Sequence, residues 1–238
     1  MANTFFQFKQ FRVEHSKCAM KVNTDSCILG AFAHVENPCR ILDIGTGSGV
    51  IALMLAQRYQ NTLIDGVEIE PNAAHQAKEN FARSLWADRL YVWNESIQEY
   101  AKTREHHYDM IVSNPPYFTN STPCRDSSSN VARHSIHLTQ YDLAKCVQRL
   151  LTSSGRFFVI FPVYIATQFE QIAQKFQLFS HTRLFIADNP TRPYNRVISV
   201  YSKKRTSYVQ EKYLEIKERD GNYSDDFISL MKPYYFYL

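Results

Sequence analysis

Glycine is scarce in this chain, with seven in 238 residues, so any cluster of glycines is informative. Cysteine is sparse too. The five cysteines (Cys18, Cys27, Cys39, Cys124, Cys146) are odd in number, scattered, and form no CxxC pair. That pattern excludes a zinc site and a disulfide framework and reads as reduced thiols of a cytosolic protein. No metal is expected, because His106-His107 have no other ligand types at useful spacing and read as a solvated loop. The start Met1-Ala2-Asn3-Thr4-Phe5-Phe6 lacks the apolar stretch of a signal peptide, and no run reaches membrane-spanning length. The expected location is therefore cytoplasmic, with no membrane partner. No internal repeat and no linker divides the chain, so a single domain over residues 1–238 is expected, and a monomer. What is present is ordinary for a globular protein: 45% hydrophobic and 21% charged residues. The net charge of +4 permits a nucleic-acid partner without demanding one.

From Arg40 onward short apolar runs alternate with amphipathic ones. Strands are predicted at 40–44, 63–68, 90–93, 110–113, 155–161, 184–186 and 197–201. Helices are predicted at 50–59, at 71–84 with Pro71 in a first-turn position, from Ser135 or Thr139 to Leu151, and at 163–176, where Ile165, Phe169, Ile172 and Phe176 share one face. This alternation predicts an α/β, Rossmann-like doubly wound fold: a mostly parallel, seven-stranded sheet with helices on both faces. Three segments stand outside it. Residues 1–39 precede the first strand, Thr119–His137 is a polar stretch too long for a routine connection, and residues 202–238 form a charged, tyrosine-rich extension.

Three of the seven glycines fall in Asp43-Ile44-Gly45-Thr46-Gly47-Ser48-Gly49, between the first predicted strand and its helix. Glycines let such a turn tighten and let a ligand lie against the backbone. A structural turn alone would need fewer of them. A nicotinamide site is the nearer rival, but its fingerprint is GxGxxG, and here the spacing is GxGxG with Val50 where the last glycine should fall. Asp43 ahead of the loop also suits a pyrophosphate badly. In these residues the chain resembles the class I S-adenosyl-L-methionine-dependent methyltransferases. The resemblance implies that Asp43, Gly45, Thr46, Gly47 and Gly49 hold the amino-acid part of the cofactor. It also implies that Glu68, rather than Glu70, ends the second strand and takes the ribose hydroxyls, with Ile69 beside it. For the adenine amino group the family usually supplies an acidic residue after the third strand. Here Asn94-Glu95-Ser96-Ile97 departs from that, and either Glu95 or Ser96 is the contact.

The run Asp109-Met110-Ile111-Val112-Ser113 reads as a buried strand, and Asn114-Pro115-Pro116-Tyr117 ends it, since neither proline has an N–H to donate. In an open α/β sheet that edge is where ligands bind. An amide, a proline carbonyl and a flat ring suit a planar group bearing an NH2. Asn-Pro-Pro-Tyr is also the methyltransferases' motif for transfer to a nitrogen conjugated with a π system. The resemblance implies that Asn114 and the Pro115 carbonyl accept the two N–H bonds and that Tyr117 stacks on the ring.

That tetrapeptide serves several families. The glutamine methyltransferases of release factors carry a separate N-terminal helical domain, whereas only 39 residues precede Arg40 here; such a protein is the second reading, and a non-catalytic binding protein the third. The segments Phe8-Lys9-Gln10-Phe11-Arg12-Val13, Met20-Lys21-Val22-Asn23-Thr24-Asp25-Ser26, Ile28-Leu29-Gly30-Ala31, Ala132-Arg133-His134 and Arg219-Asp220-Gly221-Asn222-Tyr223-Ser224-Asp225 resemble the bacterial valine-tRNA adenine-N6 methyltransferases. That resemblance implies tRNA as partner and methylation of the adenosine immediately 3′ of the anticodon. It implies that Met20–Asp25 closes over the methionine end of the cofactor, with Lys21, Thr24 and Asp25 as contacts. A helix N-cap at Thr24 or Asp25, opening a helix over 26–34, is a compatible reading. Arg125, Arg133, His134 and the cluster Lys203-Lys204-Arg205 are the candidate RNA phosphate contacts. The aromatic tail at 232–238 is expected to pack onto the domain.

Overall fold

The structure is a computed structural model that describes residues 3–116 and 138–237. Its elements in chain order are β1 (Phe5–Gln7), β2 (Arg12–Glu14), α1 (Thr24–Phe32), β3 (Arg40–Ile44), α2 (Val50–Arg58), β4 (Leu63–Val67), α3 (Pro71–Ala82), β5 (Leu90–Trp93), α4 (Ile97–Lys102), β6 (Tyr108–Ser113), α5 (Gln140–Leu150), β7 (Leu151–Pro162), α6 (Val163–Lys175), β8 (Phe179–Ala187), β9 (Arg196–Ser202), β10 (Gln210–Glu215) and α7 (Asp225–Met231). The central sheet has the order β10-β8-β9-β7-β6-β3-β4-β5, and β1-β2 form a separate hairpin. All pairings in the central sheet are parallel except those of β9, which runs antiparallel to β7 and β8.

Residues alternate between the two faces of the sheet, as the pleat requires. Ile41, Met110, Phe158 and Ile198 join α1, α2 and α7 in one core, while Leu42, Ile111, Phe157 and Val197 join α4, α5 and α6 in the other. Burial on both faces explains why β3 and β6 read as continuous apolar runs. Every residue of α2 from Val50 to Ala56 is buried, because α1 and the C-terminal segment cover the side turned away from the sheet.

Several elements go beyond the sequence expectation, among them the β1-β2 hairpin, α4 and α7, and two differences concern β10 and the start of α1. The sheet has an eighth strand, β10, taken from the predicted extension and paired in parallel with β8. Its sequence hides it: in Gln210–Glu215 only Leu214 is buried, as befits an edge strand. The N-cap of α1 is Asn23, not Thr24 or Asp25. Asn23 has extended backbone (φ −133°, ψ 162°) and accepts from the Ser26 N–H at 2.9 Å, while Thr24 already lies within the helix.

The aromatic tail packs as expected. Tyr234 is buried beside α2, and its hydroxyl accepts from Arg58 at 2.9 Å. The same guanidinium donates to the Ala31 and Ala33 carbonyls at the end of α1. Tyr234→Phe should therefore lower unfolding free energy by about 1–2 kcal/mol by leaving a charged donor short of one acceptor. Tyr234→Ala should cost about 3–5 kcal/mol because it also opens a cavity. Urea unfolding of the two variants separates these contributions.

Candidate active site

β3 is flanked by β4 on one side and β6 on the other. The chain therefore leaves β3 toward one edge of the sheet and later returns on the opposite side, and the loops at the carboxyl ends part at that reversal. A cavity of about 400 Å³ opens there, lined by the segments after β3, β4, β5 and β6 and closed by residues 18–26.

The loop after β3 is shaped by its glycines. Gly45 and Gly47 have φ of 71° and 56°, and a Cβ added to either would meet nothing within 4 Å. Their requirement is conformational, for a backbone that side chains rarely adopt. Gly49 (φ 84°) is different, since a Cβ there would lie 2.4 Å from the Phe81 ring. The Gly45 and Thr46 N–H groups donate to the Val67 carbonyl at 2.8 and 3.2 Å, which fastens the loop to the end of β4.

Glu68 sits directly after β4 and lines the cavity. Its carboxylate accepts from the Gly47 N–H and the Glu70 N–H, both at 2.9 Å. Glu70 instead caps α3 by accepting from Asn72 and Ala73 N–H at 3.1 and 2.7 Å, and those backbone donors hold its carboxyl below the usual range. The neighbouring Ile69 side chain is exposed at the cavity. At the end of β5, Asn94 donates to the Glu68 and Ile69 carbonyls at 2.8 and 3.2 Å, joining the two strand ends. Glu95 and Ser96 both line the cavity, and the Ser96 hydroxyl oxygen is occupied as the N-cap of α4.

Asp43 does not line the cavity wall. It lies fully buried beneath the loop, where the Thr46 hydroxyl donates to Oδ2 at 2.7 Å and Oδ1 lacks a well-formed hydrogen bond. Burial pushes its carboxyl up to about 7, with Thr46 opposing the shift. Of the three N-terminal candidates, Lys21 lines the cavity. Thr24 and Asp25 are absent from its wall; Asp25 turns to Arg196 at 2.9 Å. Burial raises the Asp25 carboxyl against the pull of Arg196. The segment also supplies Cys18, Met20, Asn23 and Ser26 to the wall. The Cys18 thiol is pushed up to about 11, first by burial and then by Glu68 and Glu70, which leaves it neutral.

Asn114 follows the end of β6, where the Ser113 hydroxyl donates to the Ile44 carbonyl at 2.9 Å. Its side-chain NH2 donates to Ser26 Oγ at 2.9 Å, which sets the amide carbonyl as the accepting end. Pro115 is buried behind it, and Pro116 is exposed at the cavity. Ser26 is a site residue that sequence reasoning passed over. Its one local signal, the cap from Asn23, says nothing about a contact 88 residues away.

Tyr117, Arg125, Arg133 and His134 lie outside the described residues. The structure does not bring Lys203, Lys204 and Arg205 to the cavity. They follow the end of antiparallel β9, at the sheet edge where the parallel strands begin. Lys203 donates to the Leu151 carbonyl at 2.7 Å, and the Arg205 guanidinium lies over the Phe179 ring.

The comparisons with known proteins agree with this arrangement. Residues 18–180 match the family model of the methyltransferase small domain. A relative from Yersinia enterocolitica, the tRNA1(Val) (adenine(37)-N6)-methyltransferase, is 40% identical over 231 residues, covering 97% of this chain and 92% of its own. The protein of that name from Yersinia pseudotuberculosis is 41% identical, covering 97% and 91%. Among solved structures, a predicted O-methyltransferase from Agrobacterium tumefaciens superposes with a TM-score of 0.69 at 16% identity, covering 88% of this chain and 96% of its own. The ribosomal protein L11 methylase of Lactobacillus delbrueckii gives 0.58 at 16% identity, over 81% and 84%. These two carry the fold alone. On the model match and on identity across nearly its whole length, the chain belongs to the methyltransferase small domain family, among the tRNA1(Val) (adenine(37)-N6)-methyltransferases.

Proposed function

We propose that this chain transfers the methyl group of S-adenosyl-L-methionine to the exocyclic N6 of an adenosine in tRNA, adenosine 37 of a valine tRNA. One observation carries the reading: a glycine loop with Glu68 and an Asn-Pro-Pro corner with Asn114 share one cavity. The relatives' names support the nucleoside and the RNA.

The residues fit the cofactor. The cavity is within the range of small-molecule sites, about 300–1,000 Å³. Gly45 and Gly47 leave open space where side chains would intrude, and the underside of the loop offers a carboxyl whose Oδ1 is poorly satisfied. Glu68 would take the ribose hydroxyls, its fixed orientation coming from two backbone donors. Ile69 would lie against the adenine. Glu95 would accept from the adenine amino group, since it is a carboxylate and the Ser96 hydroxyl already accepts from the Glu99 N–H. Thr46 and Lys21 would border the methionine end, with the Asp43 carboxyl acting on it from beneath the loop.

The bound cofactor supplies an electrophilic methyl on a sulfonium sulfur. An adenine N6 lone pair is delocalised into the ring and poorly nucleophilic. Asn114 Oδ1 and the Pro115 carbonyl, by accepting the two N–H bonds, would favour a tetrahedral nitrogen with its lone pair aimed at that methyl. Held so by Asn114 and Pro115, the nitrogen would take up the methyl that the cofactor, when bound, would supply. The methylated nitrogen is then acidic and releases its proton without a dedicated base. This is catalysis by position and electrostatics.

Purified protein incubated with methyl-labelled cofactor and total tRNA should label the tRNA, at an N6-methyladenosine recovered by nucleoside mass spectrometry; label confined to protein would refute the assignment. Asn114→Ala should lower kcat by about 100- to 1,000-fold with cofactor affinity nearly intact. Glu68→Gln, in contrast, should weaken cofactor binding by about tenfold or more, read by calorimetry. Asp43 adds a pH test. Its raised carboxyl means that the folded chain holds a proton the unfolded chain has lost, so its contribution to stability is full below about 3.8 and declines as pH rises toward about 7. A cationic ligand above the loop favours the ionised form. Cofactor affinity should therefore rise as pH climbs toward about 7 and level off above it, and Asp43→Asn should flatten both profiles.

A further inference from the structure

Antiparallel β9 begins at the catalytic edge of the sheet, with Arg196 paired to Pro162 at the end of β7. The loop at 188–195 therefore stands on the same rim as Asn114. It is internally fixed. Asn189 Oδ1 accepts from the Thr191 N–H and hydroxyl at 2.9 and 2.6 Å, the Arg192 N–H donates to the Asn189 carbonyl at 3.0 Å, and the Tyr194 hydroxyl donates to Glu215 at 3.0 Å. Pro190 and Pro193 restrict the rest of its backbone. Its base is anchored to the site, because Arg196 pairs with Asp25 at 2.9 Å and the next residue, Ser26, holds the Asn114 amide. The Asn195 carbonyl also accepts from Val163 N–H at 3.1 Å, which fixes the first turn of α6 beside the loop.

Two side chains at this corner make no hydrogen bond or ion pair among the described residues. Arg192 is exposed and forms no ion pair among the described residues, unlike Arg183 and Arg196. Tyr164, next to Val163, is 55% exposed. A cation and a flat ring, carried by a hydrogen-bonded loop and a first helical turn on the sheet rim that also bears Asn114, match a nucleic-acid strand entering from that side: a phosphate for one and a base face for the other. We propose that Arg192 and Tyr164 form the seat for the RNA strand next to the methylated adenosine, Arg192 on a backbone phosphate and Tyr164 stacked on a neighbouring base. This rests on the tRNA methyltransferase reading above.

Filter binding of a tRNA anticodon stem-loop transcript over a salt series, with methyl-transfer kinetics and cofactor calorimetry alongside, tests it. Arg192→Ala should flatten the plot of log affinity against log salt by about one unit. KM for RNA should rise while kcat and cofactor affinity hold. Tyr164→Ala should weaken RNA binding by about 5- to 150-fold, the range for one lost base stack, and Tyr164→Phe should restore it. A Lys204→Ala/Arg205→Ala variant at the far edge should bind as the unaltered chain does. Wild-type RNA affinity in both rim variants, or a loss confined to the Lys204/Arg205 variant, overturns the proposal while methylation by the unaltered protein still upholds the function. If the unaltered protein methylates no tRNA, both fall together.

Discussion

The site depends on one adjacency: β3 and β6 are neighbours in the sheet, in a register that sets Ile44 opposite Ser113. Neighbouring strands lie about 4.8 Å apart, so the loops leaving those two ends must share a crevice. One loop begins with the glycines and the other with Asn114. The Ser113 hydroxyl bond to the Ile44 carbonyl prevents the two ends from parting. Methyl transfer needs donor and acceptor atoms within about 3–3.5 Å of each other. A sheet register is a more durable way of setting that separation than any contact between loops.

The remaining geometry is set by α1, a short helix outside the alternation of strands and helices. Its first turn meets the site through Ser26 and is steadied by the pairing of Asp25 with Arg196. Its last turn is gripped by Arg58. The Asn114 amide is thus oriented by a strut packed on α2, and the loop carrying Arg192 shares the same anchor. Cofactor side, acceptor side and rim are braced against one another through a few charged and hydroxyl contacts above an apolar core.

Local chemistry was legible in the sequence, and long-range address was not. The glycine run and the double proline announce their turns because their backbone restrictions act within a few residues, and the ends of β3 and β6 follow from them. Glu68 and Glu70 differ in sequence only by position, whereas in the structure Glu70 caps α3 and Glu68 accepts from the Gly47 N–H. Ser26 gave no signal, because its partner arrives through the packing of α1 onto the sheet. The basic cluster at 203–205 was recognisable as charge, but its position follows from strand direction. β9 runs antiparallel, so the residues after it emerge at the edge remote from the cavity. β10 was missed for a related reason, since an edge strand needs only one buried side chain and its polar sequence does not alternate visibly.

The clamp at the far end of α1 has a consequence for the order in which this protein becomes competent. Ser26 and Asn114 leave the ribosome long before Tyr234, yet Tyr234 supplies the last acceptor for Arg58, and the Lys9 ammonium donates to the Lys232 carbonyl at 2.7 Å. At about 1.5 Å per residue, the nine residues of α1 carry that closure roughly 13 Å to the acceptor amide. An unfinished chain thus bears both recognisable motifs before the last contact that braces the far end of α1. The strut behind the site is finished after the two motifs it serves.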